Sequence, residues 1–272
     1  MTFLQRHAYG IGAGLAGLFW PFFPRRRRIA VDNIIKGRVT DDLAEAKRIA
    51  KASWCHLAGH IAEALFVPSV VTEENWREHL DISDANPAAC DLLTEKTDTP
   101  ILLVSAHHGV WEAATNILSF SRPMIAVARK MNSKLIGNWL EKHHFRGRIT
   151  VIDKNRGFTP DILRQWKETN AAMTILMDQH TSKGPMLRFF GRKAQTYTTA
   201  VRLAMRTGFP IVVGSFVRIA PYRYKLVGGE PVQFGPESDR DVATQLLNDR
   251  LEAAIRAYPE QYLWAHRRWR HD

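Results

Sequence analysis

Cysteine is scarce: Cys55 and Cys90 are the only two in 272 residues, far apart and in no CxxC pattern. That argues against a disulfide framework or a zinc knuckle and suits a reducing compartment. Acidic residues are also few. Twenty-seven Asp and Glu stand against 38 Lys and Arg, giving a net charge of +11, and no acidic residue precedes Asp32. Such a surface attracts polyanions, whether nucleic acid, anionic lipid or an acidic carrier protein, and charge alone does not choose among them. The usual signatures of a protein nucleophile or a nucleotide site are missing as well. There is no GxSxG, no paired Cys and His, no HExxH, no Walker loop and no GxGxxG after a strand.

What is present is enough for a sizeable core, with 45% hydrophobic and 24% charged residues. No internal repeat or low-complexity segment occurs. The N-terminus holds an uncharged stretch, Ala8–Phe23, followed by Arg25–Arg28. As a helix the stretch would run about 24 Å, short of a hydrocarbon core of about 30 Å. Its four glycines and one proline make it a poor span. Two readings remain: a buried N-terminal helix, or a helix dipping into one leaflet with arginines at the head groups. The second divides the chain into a membrane-associating segment, residues 1–30, and a single domain, residues 31–272.

Thr40–Phe66 reads as a long amphipathic helix, with Leu43, Ile49, Trp54, Leu57, Ile61 and Leu65 at helical spacing. His56 and His60 lie one turn apart on it, but no acidic third ligand is nearby to make a metal site. From residue 100 onward short apolar runs alternate with helical stretches. Strands are expected at Ile101–Ala106, Met124–Ala128, Ile149–Ile152, Ala172–Met177, Ile211–Val217 and Tyr222–Val227. Helices are expected at Glu112–Leu118, Ser133–Lys142, Pro160–Glu168, Thr198–Thr207 and Asp239–Ala257, with Thr198 and Thr199 at an N-cap. Wholly apolar strands separated by helices predict an α/β fold: a mixed, mostly parallel central sheet flanked by helices. Ligands in such sheets bind at the carboxyl ends of the strands.

The segment "HHGVWE", residues 107–112, falls at such an end. A histidine where the strand stops and a carboxylate in the next helix can meet across the connection. Glu112 would hold one nitrogen of His107 and leave the other to accept a proton. His108 is the alternative base, although it lies four residues from Glu112 and shares its helix face. Gly109 lets the backbone turn tightly. A dyad without a protein nucleophile implies that the nucleophile is a substrate hydroxyl attacking an activated carbonyl.

"HHGVWE" resembles the H(x)4(D/E) motif of glycerolipid-type acyltransferases, in the form found in the lipid A biosynthesis late acyltransferases. The likeness extends through "AVARK" at Ala126–Lys130, "MDQHTSKGPMLRFFGRKAQTYTTAVRLAMRTGFPIV" from Met177, and "YPEQYLWAHRRWR" at Tyr258–Arg270. It covers the chain from about residue 100 to the end. His108 departs from it, standing where the family has an aromatic residue. The resemblance implies that His107 is the catalytic base with Glu112 as its partner, and that Arg129, Asp178 and Gln179 line the cleft. Arg129 would bind a phosphate of the acceptor or of the carrier's phosphopantetheine. His266, Arg267 and Arg268 would either pin the C-terminus to the sheet or contact ligand.

The expected function is therefore transfer of a fatty acyl chain from acyl carrier protein to a hydroxyl of a lipid A precursor. It would take place at the cytoplasmic face of the inner membrane, on an anionic surface, and calls for no metal and no cofactor. The alternatives are acylation of a lysophospholipid or glycolipid, or a non-catalytic basic protein binding membrane or nucleic acid. The last needs aromatics interleaved with basic residues in a groove, whereas the tryptophans here fall mainly in apolar helical patterns. No nucleic acid partner is expected.

Overall fold

The computed structural model describes residues 1–83, 85–94, 97–128, 148–153, 157–229 and 231–270. Arg129 and the helix expected at Ser133–Lys142 lie outside the described residues. Three helices open the chain: α1 (Phe3–Phe19), α2 (Pro24–Lys36) and α3 (Leu43–Ala64). Thr2 and Gln5 cap α1 reciprocally, Pro24 occupies the first turn of α2, and the Asp42 side chain caps α3 by accepting from the Ala44 amide. A single turn, α4 (Val67–Val70), leads to the short β1 (Leu80–Asp81) and to α5 (Pro87–Thr94).

The alternating part follows: β2 (Ile101–Ser105), α6 (Trp111–Leu118), β3 (Met124–Ala128), β4 (Ile149–Asp153), α7 (Pro160–Glu168) and β5 (Ala172–Leu176). A hairpin, β6 (Met186–Phe189) and β7 (Arg192–Gln195), precedes α8 (Thr199–Thr207), β8 (Ile211–Ala220), β9 (Arg223–Gly228) and α9 (Arg240–Ala257). Among the described residues seven strands form one sheet in the order β1-β9-β8-β2-β5-β3-β4. Every neighbouring pair is parallel except β8 with β9. The fold is thus α/β, with a mostly parallel sheet flanked by helices. Thr198 stands at the N-cap of α8, but its side chain makes no capping hydrogen bond.

β2 lies at the centre of the sheet, and all five of its residues are buried. Successive side chains go to opposite faces. Ile101 and Leu103 join Val110, Ala113 and Ile117 on one side, while Leu102 and Val104 join Trp166, Met173, Ile175 and Val213 on the other. Burial on both faces explains the unbroken apolar run, because neither face meets water.

α1 packs along α3 through its small residues. A Cβ at Gly12 would come within 2.6 Å of the Ala58 carbonyl oxygen and 2.8 Å of the Ala62 methyl. Gly59 of α3 makes the reciprocal space, since a Cβ there would lie 2.9 Å from the Tyr9 ring. Of the four glycines in α1, Gly12 is thus the one that close packing on α3 requires, whereas a Cβ at Gly10 or Gly14 would meet nothing within 4 Å. Among the described residues no helix is long and apolar enough to cross a membrane.

Candidate active site

β2 ends at Ser105 and α6 begins at Trp111, so residues 106–110 must reverse direction at the carboxyl end of the central strand. Gly109 makes this possible. Its φ is +70°, and a Cβ there would fall 1.9 Å from the Phe216 carbonyl oxygen, so both conformation and space require glycine. Four hydrogen bonds to three separate segments hold the turn. The Gly109 amide donates to Gln261 O at 3.0 Å and the Val110 amide to Phe216 O at 2.8 Å. Leu263 N donates to His107 O at 3.0 Å, and His56 Nε2 donates to Gly109 O at 3.0 Å.

The two histidines go opposite ways. His108 is fully buried, with Nε2 bonded to Tyr258 O at 3.1 Å, and burial pushes its imidazole down to about 4. It is a neutral structural histidine, closed off from any cleft. His107 keeps a side chain 20% exposed. Ser105 of β2 pairs with Leu176 of β5, and two further residues along each chain are His107 and Asp178. Nδ1 of His107 lies 2.9 Å from Oδ1 of Asp178. A carboxylate only accepts, so Nδ1 carries the proton and Nε2 is the basic nitrogen, accepting from the Gln179 amide at 3.1 Å.

The electrostatics agree with that assignment. Burial alone would raise the Asp178 carboxyl, but the charge and hydrogen bond of His107, with help from His266, hold it below the usual carboxylate value. Burial pushes Tyr262 well above its ordinary value, reinforced by the charge of Asp178 and a hydrogen bond to it. His266 is pushed down to about 4, chiefly by burial.

Glu112 lies in the first turn of α6, and its carboxyl is the most perturbed acid of the site. Burial pushes it up to about 7, against opposing pulls from its own backbone amide, the charge of His107 and Trp111. Oε2 is sealed from solvent, accepts no hydrogen bond from the described residues and sits 3.5 Å from Nε2 of the buried His60. The Trp111 ring packs edge-on against two histidines, with centroids 4.4 Å from His60 and 5.2 Å from His107.

The structure thus brings His107, Asp178 and Gln179 into direct contact and puts Glu112 in the same electrostatic neighbourhood. It differs from the sequence expectation in one respect: the carboxylate hydrogen-bonded to Nδ1 is that of Asp178, which was expected only to line the cleft. Arg129 is outside the described residues. Sequence reasoning did not foresee His56, His60 or Tyr262 at the site. The one available signal was the i, i+4 pair His56 and His60, which the sequence offers only as a metal pair without an acidic third ligand; among the described residues no group of three or more His, Cys, Asp or Glu is arranged to hold a metal ion.

The model of the bacterial lipid A biosynthesis acyltransferase family matches residues 4–271 of the chain. The chain belongs to this family. It is similar to the lipid A biosynthesis palmitoleoyltransferase of Escherichia coli (strain K12), at 23% identity over 268 residues, covering 96% of this chain and 84% of that one. The lipid A biosynthesis acyltransferase of Shigella flexneri is similar to the same extent. In this lipid A acyltransferase the C-terminal tail is structural where it meets the site. Arg268, 1% exposed, donates to the carbonyls of Gln179 and Gln195 and to Thr196 Oγ1. It fixes the backbone that carries Gln179.

The N-terminal helices of this acyltransferase leave a row of large apolar side chains in solvent. Phe3 is 78% exposed, Leu18 67% and Phe22 74%, and Leu4, Ile11 and Leu15 are exposed as well. Arg25–Arg28, all exposed, follow directly at the start of α2, behind Pro24. Cations at a helix N-terminus oppose the helix dipole, an arrangement that an anion outside the chain would relieve.

Proposed function

We propose that this lipid A acyltransferase transfers a fatty acyl chain from acyl carrier protein to a hydroxyl of a lipid A precursor, with His107 as general base. The observation that carries the mechanism is the Asp178–His107–Gln179 array, which leaves Nε2 as a basic nitrogen facing an amide donor. An acceptor hydroxyl taking the place of the Gln179 amide would give its proton to Nε2 while its oxygen attacks the thioester carbonyl. Collapse of the tetrahedral intermediate breaks the C–S bond, and the imidazolium returns the proton to the departing thiolate. Asp178 keeps the correct tautomer and stabilises the imidazolium. Glu112 supplies a second carboxyl within reach of that charge, and Arg129 binds phosphate of the acceptor or of phosphopantetheine.

Residues 1–30 are proposed as the membrane-contacting part and residues 31–272 as the catalytic domain. The exposed apolar row supports shallow insertion, and each of the following arginines adds about 1 kcal/mol on an anionic leaflet. Peripheral association at the cytoplasmic face of the inner membrane would bring the His107 cleft to an acceptor that does not leave the bilayer. The net charge of +11 supports an acidic carrier as donor. Purified protein given a labelled acyl-carrier-protein thioester and a lipid A precursor should form a new acyl ester, with a KM for carrier that rises with salt. Absence of any acyl ester, or equal use of acyl-CoA at every salt concentration, would overturn this reading.

A further inference from the structure

The turn that presents His107 is tied by hydrogen bonds to the N-terminal helix. Gly109 is buried, and its carbonyl accepts from His56 Nε2 at 3.0 Å. Because a carbonyl only accepts, Nε2 carries the proton. The Nδ1 of the neutral ring then accepts from the Tyr9 hydroxyl of α1 at 3.1 Å. Burial favours this neutral form, pushing His56 down to about 4. The Tyr9 ring packs close to Gly59, where a Cβ would come within 2.9 Å of it, and lies under the Arg218 guanidinium, 3.8 Å from its centroid.

The connection then closes on itself. Arg218 is anchored by Glu63 at 2.8 Å, and its backbone amide and carbonyl are both bonded by the Gln261 side chain. The Gln261 carbonyl in turn receives the Gly109 amide. Tyr9, His56, Gly109, Gln261 and Arg218 thus form a continuous ring of contacts around the turn, and two of its five members lie on α1 and α3.

We propose that Tyr9 and His56 are positioning residues for the His107 turn, so that α1 belongs to the catalytic framework as well as to the membrane-facing surface. Tyr9 satisfies Nδ1 of the tautomer that the Gly109 carbonyl requires, His56 supplies a side-chain donor to that carbonyl, and the turn in turn sets His107 against Asp178. This rests on the reading of His107 as the base. Misplacement of a catalytic group by about 1 Å can cost on the order of a hundredfold in rate.

The test measures kcat and KM for acyl-carrier-protein thioester, on acceptor in vesicles and on acceptor dispersed in detergent, alongside melting temperatures. His56→Leu should lower kcat by roughly 10- to 100-fold with KM little changed. His56→Gln, which restores a donor to the carbonyl, should recover most of the loss. Tyr9→Phe, which removes one hydroxyl and keeps the packing, should lower kcat by about threefold or more in both formats, the smaller effect following from an intact Gly109 bond. A kcat for Tyr9→Phe equal to wild type in detergent would overturn the proposal. So would equal losses in His56→Leu and His56→Gln at matched folded fraction. If His56→Leu fails to fold, the Tyr9→Phe result stands by itself. His107→Ala separates the two readings. An active His107→Ala overturns the catalytic assignment, whereas an inactive one beside unaffected Tyr9→Phe overturns the positioning role alone.

Discussion

Asp178 hydrogen-bonds Nδ1 of His107 at 2.9 Å across two adjacent parallel strands, each residue lying two positions beyond the paired Ser105 and Leu176. The contact needs no long side chain to reach across a cleft, because the β2–β5 register delivers both residues to one spot. It sets the roles of the nearby carboxyls, since Asp178 is the ionised partner and Glu112 the one held near neutrality.

His107→Ala should therefore lower kcat by roughly 10²–10⁴-fold, the range for a positioned base. Asp178→Asn keeps the shape but no longer enforces the tautomer, and should cost about tenfold or more. Steady-state kinetics of the two variants and of Glu112→Gln would rank the carboxyls. A Glu112→Gln loss well above that of Asp178→Asn would show that Glu112, not Asp178, orients the base.

Glu112 also predicts a pH effect on stability. Its folded value, about 7, lies above the ordinary 4.5, so its neutral form suits the fold. The stability it contributes is fully present below about pH 4.5 and is lost as pH rises through 7. The Glu112 side chain is 35% exposed, so solvent screening reduces the effect: Glu112→Gln should melt slightly higher than wild type at pH 8 and show no advantage at pH 4.5. Thermal melts across that window check it, and an advantage independent of pH would contradict it.

The buried histidines act in the opposite sense. His56, His108 and His266 are each held down to about 4, so their neutral forms suit the fold. Their contribution is present above about pH 6.5 and is lost as pH falls through 4, opposite in sign to that of Glu112. His108→Phe should sacrifice about 1 kcal/mol at pH 7 through the unpaired Tyr258 carbonyl, yet lose less stability than wild type between pH 7 and 5. Denaturant melts at the two pH values measure the difference, and parallel losses would count against it.

Much of the fold is legible in the sequence because strands buried on both faces read as plain apolar runs. Ile101–Ser105 and Ala172–Leu176 fall within the expected Ile101–Ala106 and Ala172–Met177. The β6–β7 hairpin is not legible. Its two-residue turn is Phe190-Gly191 with φ of 55° and 71°, and no local rule places phenylalanine there. Phe190 is held by tertiary packing, its ring 5.1 Å from Trp264 and 6.4 Å from both Tyr262 and Trp269. α2 is hidden too, since a run of arginines at a helix start contradicts helix electrostatics. At the site, His107 is legible where the apolar run stops. Its link to Asp178 is not, because strand register over 71 residues of sequence is invisible locally. His56 shows only as one polar position on an amphipathic helix.

The exposed apolar row should govern membrane binding. Burying a large apolar side chain is worth about 1.5–3 kcal/mol, so replacing both Leu18 and Phe22 with Glu should weaken partition onto anionic vesicles by at least about tenfold. Activity on acceptor dispersed in detergent should survive far better than activity on bilayers. Vesicle sedimentation measures the first, and unchanged partition would place the docking surface elsewhere.

The central claim, that His107 drives acylation of lipid A, is tested most directly by mass spectrometry of lipid A from cells carrying the wild-type protein, its His107→Ala variant or neither. The account predicts a species heavier by one acyl chain with the wild type, and its absence both without the protein and with a His107→Ala variant expressed at the same level. The heavier species appearing equally with His107→Ala would contradict it.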